Sequence, residues 1–348
     1  MVNSFIDINN LRIGIVGAGG WGTALANLLA YKGYKIDLWA YEKDVVDQIE
    51  KNRENKEFLP GMALSENIQA SNDIKKVVSG KILVLIAVPS TFIRSVGKQM
   101  ADSLLRETLI VNASKGIESK TCLTMSDVLK QVLPEVSKNQ FAVISGPSFA
   151  KEVAKRIPTA ITVAANSQDV AIKIQHIFAD SYFRVYTSDD VIGVELGGAI
   201  KNVIAIASGI SDGMNLGLNA RAALVTRGLT EIRRLGLKMG ASAITFTGLA
   251  VIGDLILTCT GNLSRNHTVG KKLGEGKKLD DILAGMKMIA EGVENTRSVY
   301  ELSNKLEVKM PICNLVYRIL YEGMSPQKAI KELMQRDLKC EFDDGCWT

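Results

Sequence analysis

The chain has 348 residues and a mass of 37.8 kDa, which at roughly 150 residues per domain predicts about two domains and a core that needs no covalent staples. Hydrophobic residues make up 47% and charged residues 23%, an ordinary balance for a soluble globular enzyme that excludes wholesale disorder. Lys and Arg total 42 against 37 Asp and Glu, and the resulting +5 is spread along the chain without a basic arm, which admits anionic ligands and argues against nucleic acid as a partner.

Residues 1–10 are mixed polar and do not read as a signal peptide. From there the chain alternates short apolar runs with helical patterns. The runs Leu11–Val16, Lys35–Ala40, Lys81–Val88, Thr108–Ala113 and Phe141–Ser145 read as strands. Trp21–Lys32, Lys43–Asn52, Thr91–Leu105 and Cys122–Leu133 read as the helices between them. The strands are nearly all apolar, as strands covered on both faces should be, so the pattern predicts an α/β fold with an N-terminal Rossmann-type doubly wound, mostly parallel sheet. Ala160–Ala164 and Phe183–Thr187 flank a helix at Gln168–Ala179 and extend that sheet. After Asp189–Asp190 no strand alternation remains. Helical patterns cover Val191–Ser211, Ala220–Met239, Ala243–Thr258, a segment beginning near Asn266, Leu279–Met286, Thr296–Leu306, Leu315–Tyr321 and Pro326–Met334. We therefore expect a dinucleotide-binding domain over 1–189 and an all-α substrate-binding domain over 190–348. Val191–Ile210 is apolar enough to be weighed as a membrane span, but Glu195 and Lys201 near its middle carry insertion penalties that favour a buried helix.

Leu11–Val16 runs directly into Gly17-Ala18-Gly19-Gly20-Trp21-Gly22, and a helix opens behind it. In this strand–loop–helix setting Gly17 permits the tight turn, Gly19 lets a pyrophosphate approach the backbone, and Gly22 lets the helix pack close to the strand. The anion then rests on free N–H groups at the positive end of the helix. A nicotinamide dinucleotide is the expected cofactor. The second strand ends Leu38-Trp39-Ala40-Tyr41-Glu42, with no acid first in line, although Glu42 is close. Arg53 lies downstream, either as a contact to a 2′-phosphate or as part of a solvated helix end. This reading leans towards NADP, or use of both cofactors, with NADPH favoured.

Ligands of such sheets gather beyond the carboxyl ends of the strands. Three polar loops leave those ends: Pro89-Ser90, Ser114-Lys115-Gly116, and Gly146-Pro147-Ser148-Phe149-Ala150. Lys115 reads either as a group facing the crevice or as a surface lysine. Hydride transfer to a ketone also needs a proton donor, and neither His176 nor His267 is well placed. Lys201 stands among apolar residues and glycines, where burial should lower its pKa towards neutrality and fit it for general acid and base work; the alternative is a lysine snorkelling at a domain interface. Asp254, alone in Leu249–Leu257, needs a cationic partner, which Lys201 or Lys115 would supply. Ser264-Arg265-Asn266 places an arginine between donors at a helix start, a setting for phosphate or carboxylate. Cys122, Cys259, Cys313, Cys340 and Cys346 have neither zinc spacing nor the look of a disulfide framework. They suggest a reducing compartment, and no metal site is expected.

Several stretches in order resemble the bacterial-type NAD(P)-dependent glycerol-3-phosphate dehydrogenases. They are Val16–Ala26, Ser114–Glu118, Ile144–Ala150, Gly193–Ala205, Gly253-Asp254-Leu255, Leu257–Thr260, Ser264-Arg265-Asn266 and Glu291-Gly292. The resemblance implies reversible reduction of dihydroxyacetone phosphate to sn-glycerol 3-phosphate, the entry to glycerophospholipid synthesis, in a cytoplasmic homodimer. It implies that Lys201 gives and takes the proton, and that Lys115 contacts both substrate and cofactor. Gly146, Ser148, Asp254, Ser264, Arg265 and Asn266 would line the substrate site, with Arg265 and Asn266 on the phosphate and Arg265 also within reach of the cofactor. Gly20, Trp21, Tyr41, Ala150, Ile289 and Glu291 would line the cofactor site beside Gly17, Gly19 and Gly22. The family often carries Ser where Gly20 stands and a basic residue where Tyr41 stands, departures that bear on cofactor choice and not on the reaction. The alternatives are a related two-domain hydroxy-acid dehydrogenase, whose substrate carboxylate would also suit Arg265, and a dinucleotide-binding sensor without turnover.

Overall fold

The computed structural model describes residues 12–286, 290–338 and 340–341. Eight strands form one sheet: β1 (Arg12–Val16), β2 (Lys35–Trp39), β3 (Ile68–Ser71), β4 (Leu83–Ile86), β5 (Leu109–Asn112), β6 (Phe141–Ser145), β7 (Thr159–Ala165) and β8 (Phe183–Ser188). Their order is β3-β2-β1-β4-β5-β6-β7-β8, so the first six follow the doubly wound 3-2-1-4-5-6 sequence. Between the strands run α1 (Gly20–Tyr31), α2 (Lys43–Asn52), α3 (Ile74–Val78), α4 (Ile93–Met100), α5 (Met125–Val132), α6 (Ala150–Ala154) and α7 (Gln168–Phe178). Strand residues alternate between two cores. In β4, Leu83 and Leu85 join the core with α1, while Val84 and Ile86 join the core with α4 and α5. Burial on both faces explains why these strands read as continuous apolar runs.

Three features differ from the sequence reading. Strand β3 has only Ile68 buried, so it lacks the apolar run that would announce it. Strand β7 pairs antiparallel with β6, returning through the loop at 146–149 and the five-residue α6. The expected helix Ala243–Thr258 is broken: a 3₁₀ segment at Ala243–Thr247, a π-helical turn at Leu249–Gly253, and a new α-helix from Asp254.

Among the described residues, the α-helices after β8 are α8 (Val191–Gly213), α9 (Gly217–Lys238), α10 (Asp254–Thr260), α11 (Arg265–Gly274), α12 (Leu279–Ala284), α13 (Glu291–Lys305), α14 (Pro311–Tyr321) and α15 (Pro326–Met334). They are built around one central element, α8, most of them packed directly on it, with α12 packed on α11 and α15 on α14. Helix α8 has the length and apolarity of a membrane span, but 89% of its apolar window is buried inside the protein, against α9, α10, α11, α13 and α14. It meets α11 backbone to backbone. A Cβ on Gly209 would stand 2.1 Å from the His267 carbonyl oxygen, and one on Gly270 would stand 2.0 Å from that of Ile206. Strand register aligns Val16 with Trp39 and Ile86, and Ile86 with Asn112. The loops after β1, β2, β4 and β5 therefore share one edge of the sheet, and the start of α11 is carried towards it by α8.

Candidate active site

A cleft of about 880 Å³ opens at that edge, walled by the glycine loop and the β-strand loops on one side and by α8, α10 and α11 on the other. Gly17 has φ +115°, and a Cβ there would clash with the Ala87 carbonyl. A Cβ on Gly22 would sit 1.9 Å from the Gly17 carbonyl oxygen, whereas one on Gly19 would meet nothing within 4 Å. Gly17 and Gly22 thus shape the loop, and Gly19 leaves the space before α1 open. Gly19 is also the N-cap residue of α1 and supplies no side-chain cap, so the positive helix end faces the cleft as an anion seat. Asn55, fully buried, donates to the Ala18 carbonyl at 2.8 Å and to Thr23 Oγ1 at 2.9 Å, pinning the loop from behind. An open Gly19, an uncapped helix start and a long cleft together fit a dinucleotide pyrophosphate.

Opposite the loop, two lysines meet one carboxylate. Lys201, on α8, is 5% exposed, and Asp254, the first residue of α10, is 1% exposed. Lys201 Nζ donates to Asp254 Oδ1 and, at 2.8 Å, to Thr258 Oγ1; Lys115 Nζ donates to Asp254 Oδ2 at 2.6 Å. The π-helical turn before Asp254 resets the helix so that Asp254 and Thr258, one turn apart, both reach Lys201. Burial lowers the Lys201 pKa to about 8, with Asp254 resisting and Lys115 assisting. Burial alone would raise the Asp254 carboxyl, but Lys115 and Lys201 overcome it and hold the group below its ordinary value. The triad therefore carries a firm anion and a lysine poised near neutrality.

At the third corner, Ser264 caps α11 by accepting from His267 N at 3.2 Å, and Arg265 and Asn266 begin the helix at the cleft wall. Asn266 Oδ1 accepts from Gly292 N at 3.0 Å, which ties α11 to the start of α13. Glu291 lines the cleft there; burial raises its carboxyl against the pull of Arg265, Lys115 and Lys201.

Gly17, Gly19, Gly20, Trp21, Tyr41, Lys115, Ser148, Ala150, Lys201, Ser264, Arg265, Asn266 and Glu291 all line the cleft. Asp254 stands behind Lys201 and Lys115. Gly22 and Gly146 shape the backbone without facing the cleft; the Gly146 carbonyl, at φ +148°, accepts from Ser148 Oγ at 2.9 Å. Ile289 lies outside the described residues. Of the two readings of Arg53, the helix end holds: it caps the C-terminus of α2, its guanidinium donates to the Ile68 and Glu66 carbonyls at 2.7 and 3.0 Å, and it does not line the cleft. His176 is exposed on α7, and His267 is bonded to Asp212 at 2.8 Å, so neither histidine serves the cleft.

Sequence reasoning missed Thr258, whose four-residue spacing from Asp254 was the available signal. It also missed Asn112 and Asn295, which hold the Lys115 loop. Asn112 Oδ1 accepts from Ser114 N at 3.0 Å, and Asn295 Nδ2 donates to the Lys115 carbonyl at 3.3 Å. The Asn112 turn is local, two residues from Ser114, and an Asn that close to the loop was the available signal; no local pattern marks Asn295, because its contact joins residues 180 positions apart.

Comparisons with known proteins agree with this arrangement. Residues 12–171 match the N-terminal family model of NAD-dependent glycerol-3-phosphate dehydrogenase, and residues 190–331 match its C-terminal model. The glycerol-3-phosphate dehydrogenase (NAD(P)+) of Syntrophotalea carbinolica is 51% identical over 333 residues, 96% of this chain and all of the relative. The crystal structure of glycerol-3-phosphate dehydrogenase from Coxiella burnetii superposes with a TM-score of 0.90 at 44% identity, covering 94% of this chain and 99% of that one. D-Mandelate dehydrogenase with NADH shares only the fold, with a TM-score of 0.62 at 12% identity over 92% of this chain and all of that one. A nucleotide loop, a lysine–aspartate–lysine cluster and an arginine-led helix start on one cleft, with relatives alike over nearly the whole length, place this chain in the NAD-dependent glycerol-3-phosphate dehydrogenase family.

Proposed function

We propose that the cleft interconverts dihydroxyacetone phosphate and sn-glycerol 3-phosphate with NAD(P)H or NAD(P)+. The observation that carries the reading is the convergence of Lys201 and Lys115 on buried Asp254 across the cleft from the glycine loop. A bound nicotinamide supplies or accepts the hydride. Lys201 gives its proton to the ketone oxygen as negative charge develops there, and takes it back in the oxidative direction. Asp254 fixes both ammonium groups, and Thr258 sets the direction of Lys201. Lys115, with one side towards Asp254 and its stem in the cleft, steadies the substrate oxygens and the cofactor. Ser264, Arg265 and Asn266 seat the phosphate at the start of α11, where the guanidinium and the helix dipole act together. Ser148 and the Gly146 turn border the substrate. Gly17, Gly19, Gly20, Trp21, Gly22, Tyr41, Ala150, Ile289 and Glu291 form the dinucleotide side, with Arg265 reaching both ligands.

In this reading residues 1–189 bind the dinucleotide and residues 190–348 bind the substrate. The product is the glycerol backbone for glycerophospholipid synthesis. Family membership supports a cytoplasmic homodimer, which sedimentation of the purified chain would test. The reaction itself is tested by initial rates of NADH and NADPH oxidation with dihydroxyacetone phosphate beside several 2-keto acids. We expect turnover with the phosphorylated ketone. Preference for a keto acid would transfer the chain to hydroxy-acid chemistry, and dinucleotide binding without turnover on any ketone would make it a sensor.

A further inference from the structure

We propose that this chain selects NADH over NADPH and that Glu42 makes the selection. The inference rests on reading the cleft as the dinucleotide site. In a sheet of this order the adenosine ribose lies beyond the end of the second strand, and an acid about 20 residues past the last glycine accepts from its 2′-hydroxyl. Glu42 stands at that place, following β2 and Tyr41, and it lines the cleft. As the N-cap residue of α2 it is fixed in extended backbone, and its carboxylate has no hydrogen bond or ion pair to another described residue. It is therefore available to a hydroxyl pair.

NADPH would bring a dianionic phosphate to the same point. The other cleft residues from β2 and from the segment after α2 are Trp39, Tyr41, Phe58 and Leu59, none of them cationic. Tyr41 is 80% exposed and set edge-on to Trp39, an uncharged ring where a basic residue would be needed for phosphate. The cations that do line the cleft, Lys115, Lys151, Lys201 and Arg265, belong to the β5 loop, α6, α8 and α11. Lys43, next to Glu42, does not line the cleft, and Arg53 is held by two carbonyls. A 2′-phosphate would thus face a carboxylate with no cation among the β2-end residues that line the cleft, and like charges at close range disfavour binding.

Trp21 and Trp39 both line the cleft, so dinucleotide binding can be followed by tryptophan emission without turnover. The folded chain is titrated with NADH and with NADPH, and the titrations are repeated on Glu42→Gln and Tyr41→Arg, with melting curves to establish that each variant is folded. We expect NADH to bind at least about tenfold more tightly than NADPH. Glu42→Gln should bring the two within about threefold, mainly by tightening NADPH, and Tyr41→Arg should move the ratio the same way. Equal affinities, tighter NADPH, or an unchanged ratio in Glu42→Gln would overturn the proposal. If neither dinucleotide binds to folded protein, the dinucleotide reading of the cleft fails first and this inference falls with it.

Discussion

Lys201 shows how one residue's surroundings set its chemistry. An ammonium at 5% exposure is disfavoured, so its pKa drops to about 8, while Asp254 keeps the drop from going further. If Lys201 is the proton donor proposed above, reduction needs the protonated amine, so the rate of ketone reduction should fall as pH rises through about 8, and the rate of oxidation should rise over the same interval. Lys201→Met should bind dinucleotide almost normally and lose roughly 10²–10⁴-fold in kcat, read from single-turnover rates beside binding titrations. Asp254→Asn removes the anion both lysines share. It should lower the melting temperature, since leaving a buried charge unpaired costs about 3–5 kcal/mol, and move the rate–pH breakpoint to lower pH. A breakpoint that stays in place would show that Asp254 does not set the Lys201 proton affinity. The lysine and the aspartate were both legible in the sequence, as charged residues in apolar runs. Their mutual contact was not, because 53 residues separate them and only the packing of α10 on α8 brings them together.

Among elements, the glycine loop separates shape from ligand contact. Gly19→Ala adds a methyl where no protein atom lies within 4 Å, so the melting temperature should hold while dinucleotide binding weakens. Gly22→Ala drives a methyl into the Gly17 carbonyl, so stability and binding should fall together. Equal melting temperatures for the two variants would contradict this division. The α8–α11 contact makes the parallel case on the substrate side. Gly270→Val would force the helices apart, and with them Arg265 and Lys201; we expect a loss of about 1–3 kcal/mol in stability and a raised substrate KM. Strand and helix periodicity revealed most of these elements. It failed at β3, which has one buried residue, and at the break before Asp254, where Gly248 and the π-helical turn interrupt an otherwise helical pattern.

Over the whole molecule, two buried carboxyls outside the cleft govern acid–base stability. Glu195 on α8 accepts from Ser126 N at 2.8 Å, and its other oxygen has no partner; Glu231 on α9 accepts from the Ile312 and Cys313 amides at 2.7 and 3.1 Å, at the first turn of α14. Burial pushes each carboxyl up to about 7. Between the ordinary carboxyl value and about 7 the folded chain holds protons that the unfolded chain has released. Stability from these groups is therefore full below that interval and lost as pH rises through it, on the order of 1–3 kcal/mol each. Melting temperature should fall from pH 5 to pH 8, and Glu195→Gln and Glu231→Gln should each flatten that slope; an unchanged slope in both variants would refute the assignment. Lys201 acts in a higher window. Its folded pKa is about 8 and its unfolded value 10.5, so the cost of burying its charge is present below that window and relieved as pH rises through it.

The amino-acid sequence by itself determined the alternation of strands and helices, the all-helical second half, the glycine loop and the charged residues stranded in apolar surroundings. Each of these depends on spacings of a few residues and on the cost of burial, which a linear chain displays directly. Tertiary structure alone decided that Lys115 and Lys201 share Asp254, that Arg53 serves two carbonyls and not the cleft, that β7 turns back against β6, and that α11 lies on α8 with no side chains between their glycines. Those outcomes depend on which distant segments become neighbours, and that is settled by the packing of complete faces.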